Sequence, residues 1–279
     1  MAVIRLITEN LKTTAKESNM YIVVFDTETT SVEKPFVYDI GYVVYDTEND
    51  CVVLSRSYIV KQTWENRMLF STAYYADKKE FYRQKMKAKA ITKKPIAEIV
   101  AQMIADFEFY EIAYAYAFNS SFDEKVFDMN CEWHKIPNPF DNIEILDIRG
   151  LVHQKIAFTK VYQDFCENLK LFTESGNYST TAESVYKFVS GNIEFIEEHT
   201  ALADSEIELE ILRYCIGLGG HYGAKYKTYQ SIKRNVDKVL KVEQEDKDGN
   251  KRVDEFIYKS RRNYKDESGQ VVRIVLKSE

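Results

Sequence analysis

Two acids one residue apart, Asp26 and Glu28 in "YIVVFDTETT", close an apolar run near the start of the chain. Side chains at i and i+2 of a strand project to the same face, so both carboxylates leave one side of a strand that reads as buried on both faces. Two close anions are costly unless neutralised, and a divalent cation taking hard oxygen ligands neutralises them. A second acid, Asp123 in "NSSFD", sits at a helix start after another apolar run, where the helix dipole alone also favours an acid. A third, Asp204, falls on the helical face of Ile207, Ile211 and Cys215, an expensive place for a carboxylate that is neither paired nor bound to metal. His199 lies five residues earlier in "HTALAD". At about 100° per residue it cannot share Asp204's face of one continuous helix, so it is expected on the loop before a helix capped by Thr200, approaching the site from above. His134, His153 and His221 read as packing or surface residues. A near copy of the first motif, "VVYDTE" over 43–48, reads as the tip of a hairpin, where acids are ordinary solvated turn residues.

The elements that must position these groups alternate. "YIVVFD" reads as a strand, "YDIGYVVYD" and "CVVLSRSYIV" as a hairpin around "TEND", and "EIAYAYAF" and "IEILDI" as further strands. Helices are predicted from about 65 to 94, over "PIAEIVAQMIADFEFY" with Pro95 near its start, after a capping box of Ser121 and Glu124, over "TTAESVYKFV", and over "TALADSEIELEILRYCI". Strand, hairpin, helix, strand, helix, strand, helix is the order of an α/β sheet with helices on its faces. Four of the ten glycines fall in "GLGGHYG" over 217–223, predicting a boundary or hinge, and the turn signals "DGN" and "ESGQ" beyond it predict a small β meander. The expected divisions are a lead-in over 1–20, a main domain over 21–216 and a tail over 217–279.

At 279 residues and 45% hydrophobic content the chain supports a sizeable core. Net charge is −6, yet residues 221–279 carry 15 Lys and Arg against 10 Asp and Glu. An acidic body with a basic tail hints at a polyanionic partner. The span 77–94 is also basic, eight Lys and Arg against two acids with Phe81 and Tyr82 interleaved, and reads either as a single-strand contact surface or as a solvated helix face. Four dispersed cysteines argue against structural disulfides and a zinc ribbon, and with no secretory signal they predict a reducing, cytoplasmic setting. No phosphate loop or G-x-S-x-G elbow is present.

Taken together the motifs resemble a family, the DnaQ-like or DEDDh 3′-to-5′ exonucleases on the ribonuclease H-like fold. Its D-x-E is matched by Asp26 and Glu28, its Asn-x-x-Phe-Asp by Asn119 and Asp123, and its H-x-A-x-x-D by His199 and Asp204. Each motif is weak alone, whereas the ordered set, over roughly residues 21–216, is specific. One departure is Ser31 where glycine is common, which bears on loop shape and not on the acids. The resemblance implies a mixed β-sheet flanked by helices and two divalent cations, Mg2+ or Mn2+. It further implies that Asp26 bridges both ions, that Glu28 and Asp204 hold the one near the attacking water, and that Asp123 supports the other. His199 would act as general base, and Thr27, Thr29 and Asn119 would contact the terminal nucleotide. The implied partner is single-stranded nucleic acid, with DNA favoured and RNA open, and a DNA polymerase or other replication protein as a further partner. A binding module that has lost catalysis is the alternative from a different class, and the presence of all five residues argues against it.

Overall fold

The strand over Tyr21–Thr29, β1, lies inside the sheet because its alternate side chains feed two separate cores. Ile22 and Val24 enter one with Val43, Leu146, Leu209 and Leu212, while Val23 and Phe25 enter the other with Ile40, Tyr42, Ile99, Met103 and Phe127. All four of these β1 residues are fully buried, as a strand covered on both faces requires. The computed structural model describes residues 20–73, 75–234, 238–245 and 251–258.

β1 pairs antiparallel with β2 (Val37–Asp46) and parallel with β5 (Tyr114–Ala117). Outward from β2 come β3 (Cys51–Val60), antiparallel to it, and β4 (Thr92–Lys94), parallel to β3; outward from β5 comes β6 (Glu144–Asp147), parallel. The six-stranded order is therefore β4-β3-β2-β1-β5-β6, a mixed sheet with only β2 reversed, flanked by helices as expected. The turn joining β2 to β3 holds the second D-T-E, where the Asp46 carboxylate accepts the amides of Glu48 and Asn49, so that motif is a hairpin tip.

Helices α4 (Ile96–Phe109) and α5 (Ser121–His134) cover the Val23 face through Ile99, Met103 and Phe127. The opposite face carries α6 (Ile148–Val152), α7 (Lys160–Leu169), α8 (Ala182–Ser190) and α9 (Ala201–Gly217). The basic stretch, expected to be helical from about 65 to 94, is only partly so. It forms α1 (Lys61–Glu65), α2 (Arg67–Phe70) and α3 (Lys79–Lys87), then the edge strand β4. Trp64, Phe70, Tyr82 and Ile91 bury a third cluster with Tyr38 and Ile59.

The first turn of α9 lies against β2 with no side chain between them. A Cβ built on Gly41 would stand 2.1 Å from the amide nitrogen of Leu202, so only glycine fits. The Ser205 hydroxyl is shared between the Ala201 carbonyl at 2.6 Å and the Gly41 carbonyl at 3.1 Å, and Asp39 Oδ2 accepts the Ala201 amide at 3.1 Å. Asp39 thus caps α9 from across the fold, while the Thr200 hydroxyl, the expected cap, donates to Glu198 instead. The capping box also differs: Ser120 precedes the first turn of α5, its hydroxyl bound to Glu124 at 3.0 Å, and Ser121 is already helical.

Beyond α9 the glycine-rich stretch does not release the chain at 217. Gly223 donates its amide to the Tyr116 hydroxyl, Thr228 Oγ1 donates to Asp147, the Tyr229 amide donates to His153, and Arg234 pairs with Glu167. Residues 221–234 form a strap over β5, β6 and α6. Lys238–Glu245 and Lys251–Tyr258 form an antiparallel pair, while the third expected strand of the tail and all of the lead-in except Met20 lie outside the described residues.

Candidate active site

The parallel strands β1 and β5 flank a topological switch point, because the chain leaves the carboxyl end of β1 toward β2 and that of β5 toward β6 on the other side, and the carboxyl ends of strands at such a point are where α/β sheets commonly build sites. Pairing with β5 extends to Val24, and Asp26 and Glu28 lie just beyond it. Across the other edge Asp26 faces Gly41, and Glu28 faces Asp39. Both acids share the Ile22 and Val24 face, where α9 brings Asp204 over the strand end. Ligand atoms of Glu28, His199 and Asp204 all lie within 4.8 Å of one another.

Asp123 arrives from α5. Ahead of it the chain turns at Asn119, whose positive φ of 66° is one that asparagine tolerates. That turn is pinned: the Asn119 amide donates to Asp147 Oδ1 at 2.9 Å and the Phe118 amide to Glu208 Oε2 at 3.2 Å. Thr27 is buried and donates its hydroxyl to Asp123 Oδ1 at 2.6 Å, so its side chain holds a carboxylate. The Thr29 hydroxyl donates to the Ser31 carbonyl, and Asn119 is exposed. Ser31 is not among the described residues at positive φ, so the loop has no need of the family's glycine there.

Crowding and burial raise every carboxylate of the group. Burial pushes Glu28 up to about 9, with Asp204 and Asp39 adding to it. It pushes Asp204 up to about 8 beside Glu197 and Asp39, and Asp123 up to about 7 against the opposing Thr27 hydrogen bond. Asp26 is raised far above the usual carboxylate range by burial and then by Asp123, Glu208, Asp204 and Glu28. Such a set ionises readily only when a cation is supplied. Asp204 Oδ1 is buried without a hydrogen-bond partner among the described residues, and the donors are hard oxygens with one imidazole. These residues fit a small divalent cation such as Mg2+ or Mn2+. The close group comprises Glu28, His199 and Asp204; Asp26 and Asp123 adjoin it through their electrostatic coupling.

His199 lies on the loop before α9 at φ 51°. Its ring stacks on Tyr75 at 4.5 Å between centroids, and its Nδ1 is 3.5 Å from Glu197 Oε2. Burial first, and then Lys78, lower its pKa, favouring neutral imidazole. The basic stretch fixes this loop: Lys78 donates to the Glu198 carbonyl at 2.7 Å, Lys85 pairs with the Glu198 carboxylate at 2.9 Å, and the Tyr82 hydroxyl donates to Asp39 at 2.9 Å. Lys79 lies over Phe70, and Lys93 pairs with Glu65. Much of the basic charge there is thus spent on structure, a use neither sequence reading anticipated.

Two buried acids escaped the sequence reading. Asp39 interrupts an apolar strand, which marks it as costly, and Glu208 stands four residues after Asp204 on the same helical face, raised far above its usual range by burial and then by Asp123. Glu197, pushed up to about 7 by burial and then Glu183, and Tyr75 carry no comparable signal.

No protein-family model matches the chain, and no curated protein matches it. Similar solved structures exist. Exonuclease I of E. coli bound to a dA16 oligonucleotide is 12% identical, with 71% of this chain and 40% of that chain covered and a TM-score of 0.44. A 3′-exonuclease in a structure of histone mRNA stem-loop recognition is 12% identical over 84% of this chain and 85% of that one, at 0.44. The nuclease domain of 3′hExo, a DEDDh family member, bound to rAMP, is 12% identical over 78% and 100%, at 0.40. This chain thus spans about two fifths of the length of exonuclease I. Among the described residues no helix is long and apolar enough to cross a membrane. The three motifs read from the sequence thus meet at one end of the mixed sheet, where the carboxyl end of β1 adjoins the starts of α5 and α9.

Proposed function

We propose that this protein is a divalent-cation-dependent 3′-to-5′ exonuclease that hydrolyses single-stranded DNA or unpaired 3′ ends to nucleoside 5′-monophosphates. The observation that carries this reading is the meeting of Glu28, Asp204 and a neutral imidazole within 4.8 Å at the switch point of the sheet, beside Asp26 and Asp123. Asp26, Glu28 and Asp204 would hold one cation, and Asp26 with Asp123 a second. Bound cations would supply charge neutralisation at the phosphate and a water of lowered pKa.

The chain's own groups do the rest. His199, kept neutral by burial and by Lys78, accepts the proton of the attacking water. Tyr75 stacked on its ring and Glu197 at Nδ1 fix the direction in which the imidazole points. The water oxygen forms a bond to phosphorus while the bond to the 3′ oxygen breaks in line, and the 3′ oxygen leaves as a hydroxyl once protonated. Thr27 keeps the Asp123 carboxylate oriented. The groups named here engage the phosphodiester and do not read the sugar, so an exoribonuclease is the alternative within the same chemistry. Nothing in the described residues supports the expected polymerase partner.

A 5′-end-labelled single-stranded DNA and the matching RNA, each incubated with Mg2+ and with chelator, test the class and the sugar together. A cation-dependent ladder shortening from the 3′ end is expected, faster on DNA. Intact strands after incubation with folded, Mg2+-loaded protein would remove the reading. His199→Ala should lower the rate roughly 10²- to 10⁴-fold and flatten the limb of the pH–rate profile due to the base. A variant profile superimposable on the parent's would take the base role from His199.

A further inference from the structure

A second feature borders the acid site across the β5–α5 turn. A cavity of about 310 Å³ is lined by Phe118, Asn119, Arg149, Thr173, Thr180 and Thr181. Asn119 opens the turn that leads to Asp123, so the cavity and the carboxylates share that turn as a wall. Arg149 carries the positive charge. Its Nε is buried without a hydrogen-bond partner, and its guanidinium makes no ion pair among the described residues. The nearest acid along the chain, Asp147, is otherwise engaged: Oδ1 accepts the amides of Asn119 and Arg149, and Oδ2 accepts the Thr228 hydroxyl. A buried guanidinium nitrogen without an acceptor is costly unless a ligand supplies one.

The opposite wall offers a donor as well. The Tyr229 amide donates to His153 Nδ1 at 2.9 Å, so the neutral ring carries its proton on Nε2. Nε2 lies 3.2 Å from Thr180 Oγ1 and donates to it, which leaves the hydroxyl hydrogen of Thr180 free to point elsewhere. Thr180 is 7% exposed. Thr181 caps α8, and the first helical residue, Ala182, also lines the cavity, so the positive end of that helix faces the same space. Arginine, a hydroxyl donor and a helix start converge on one place where an acceptor-only group fits.

We infer that the Arg149 and Thr180 cavity is a phosphate subsite that holds an internal phosphodiester of the strand, on the 5′ side of the linkage being cut. This rests on the nuclease reading above. Within it, the subsite explains how a chain whose 77–94 cations are largely tied into its own fold still grips a polyanion beside an acidic centre.

The test uses the full chain in chelator and a 5′-fluorescein-labelled single-stranded DNA, with affinity followed against salt by anisotropy. Arg149→Gln should weaken binding about tenfold and make the slope of log affinity against log salt shallower by about 0.7, the share of one phosphate contact on a single strand. Arg149→Lys should restore most of the slope. Since Nε has no hydrogen-bond partner and the guanidinium no ion pair among the described residues, the melting temperature should hold; if Gln disturbs the fold, Arg149→Met repeats the test. A neutral methylphosphonate linkage is then walked inward from the 3′ end. At one internal position the neutral linkage and Arg149→Gln should cost no more together than either alone, as expected when both remove the same contact. Additive losses at every position, or an unchanged slope, would overturn the subsite and leave the nuclease reading standing. A parent that neither binds nor shortens the strand overturns both.

Discussion

Asp204→Asn should slow hydrolysis of single-stranded DNA by at least about 10³-fold while raising the melting temperature in chelator. Both effects come from one buried oxygen set. Asp204 Oδ1 has no hydrogen-bond partner among the described residues, and the carboxylate lies within 4.8 Å of ligand atoms on Glu28 and His199. An amide of the same shape keeps the packing of α9 on β2 but withdraws a negative charge that Glu28 and Asp26 both feel. At about pH 9 that relief should be on the order of 1–3 kcal/mol, or roughly 2–4 °C per kcal/mol in a chain of this size. Cation binding should weaken in the same variant, which isothermal titration reads without any turnover. A variant that cuts at the parent's rate would remove Asp204 from the site. One that loses activity by unfolding would show that Asp204 serves packing.

The protein in chelator should become less stable as pH rises, and added Mn2+ should restore it. Glu28 at about 9, Asp204 at about 8 and Asp123 at about 7 all exceed their unfolded values of about 4, so the folded state keeps protons the unfolded chain has released. Their contribution is complete below about pH 4 and is lost as pH climbs through 7, 8 and 9. Histidines of lowered pKa, His153 at about 4 among them, shift stability the other way but finish near the unfolded value of about 6.5. Melts between about pH 7 and 8 therefore isolate the carboxylates, with an expected loss of several kcal/mol by about pH 9, where the buried thiols of Cys131, Cys166 and Cys215, also raised by burial, begin to add to it. Cations bind the ionised set, so the rise they produce should grow with pH over the same window. A chelated protein whose melting temperature is level from about pH 7 to 9 would mean that these acids ionise freely without a cation.

Much of this architecture follows from local rules. Alternation along "YIVVFD" places Asp26 and Glu28 on one face, and the helical repeat through Ile207, Ile211 and Cys215 marks Asp204 as inward-facing. What escaped is what distant segments decide. Asp39 caps α9 across 162 positions of sequence, so no window around Thr200 contains the donor's true acceptor. Tyr75 finds His199 only after the basic stretch has folded back on the loop before α9. That stretch also exhausts the meaning of composition. Lys78 and Lys85 count as free charge in the sequence, yet in the fold they hold the main chain and side chain of Glu198. Ser120 and Ser121 differ by a single position, and only the course of the turn at Asn119 selects which of them precedes the helix.

The bare strand position at Gly41 governs how this site can age. Because α9 rests on β2 main chain to main chain, with the Leu202 amide where a Cβ would stand, the height of Asp204 above Asp26 is a backbone dimension, set by no side chain's bulk. Tolerance to substitution should accordingly be nearly absent at position 41, a tighter limit than the size of a glycine alone would suggest.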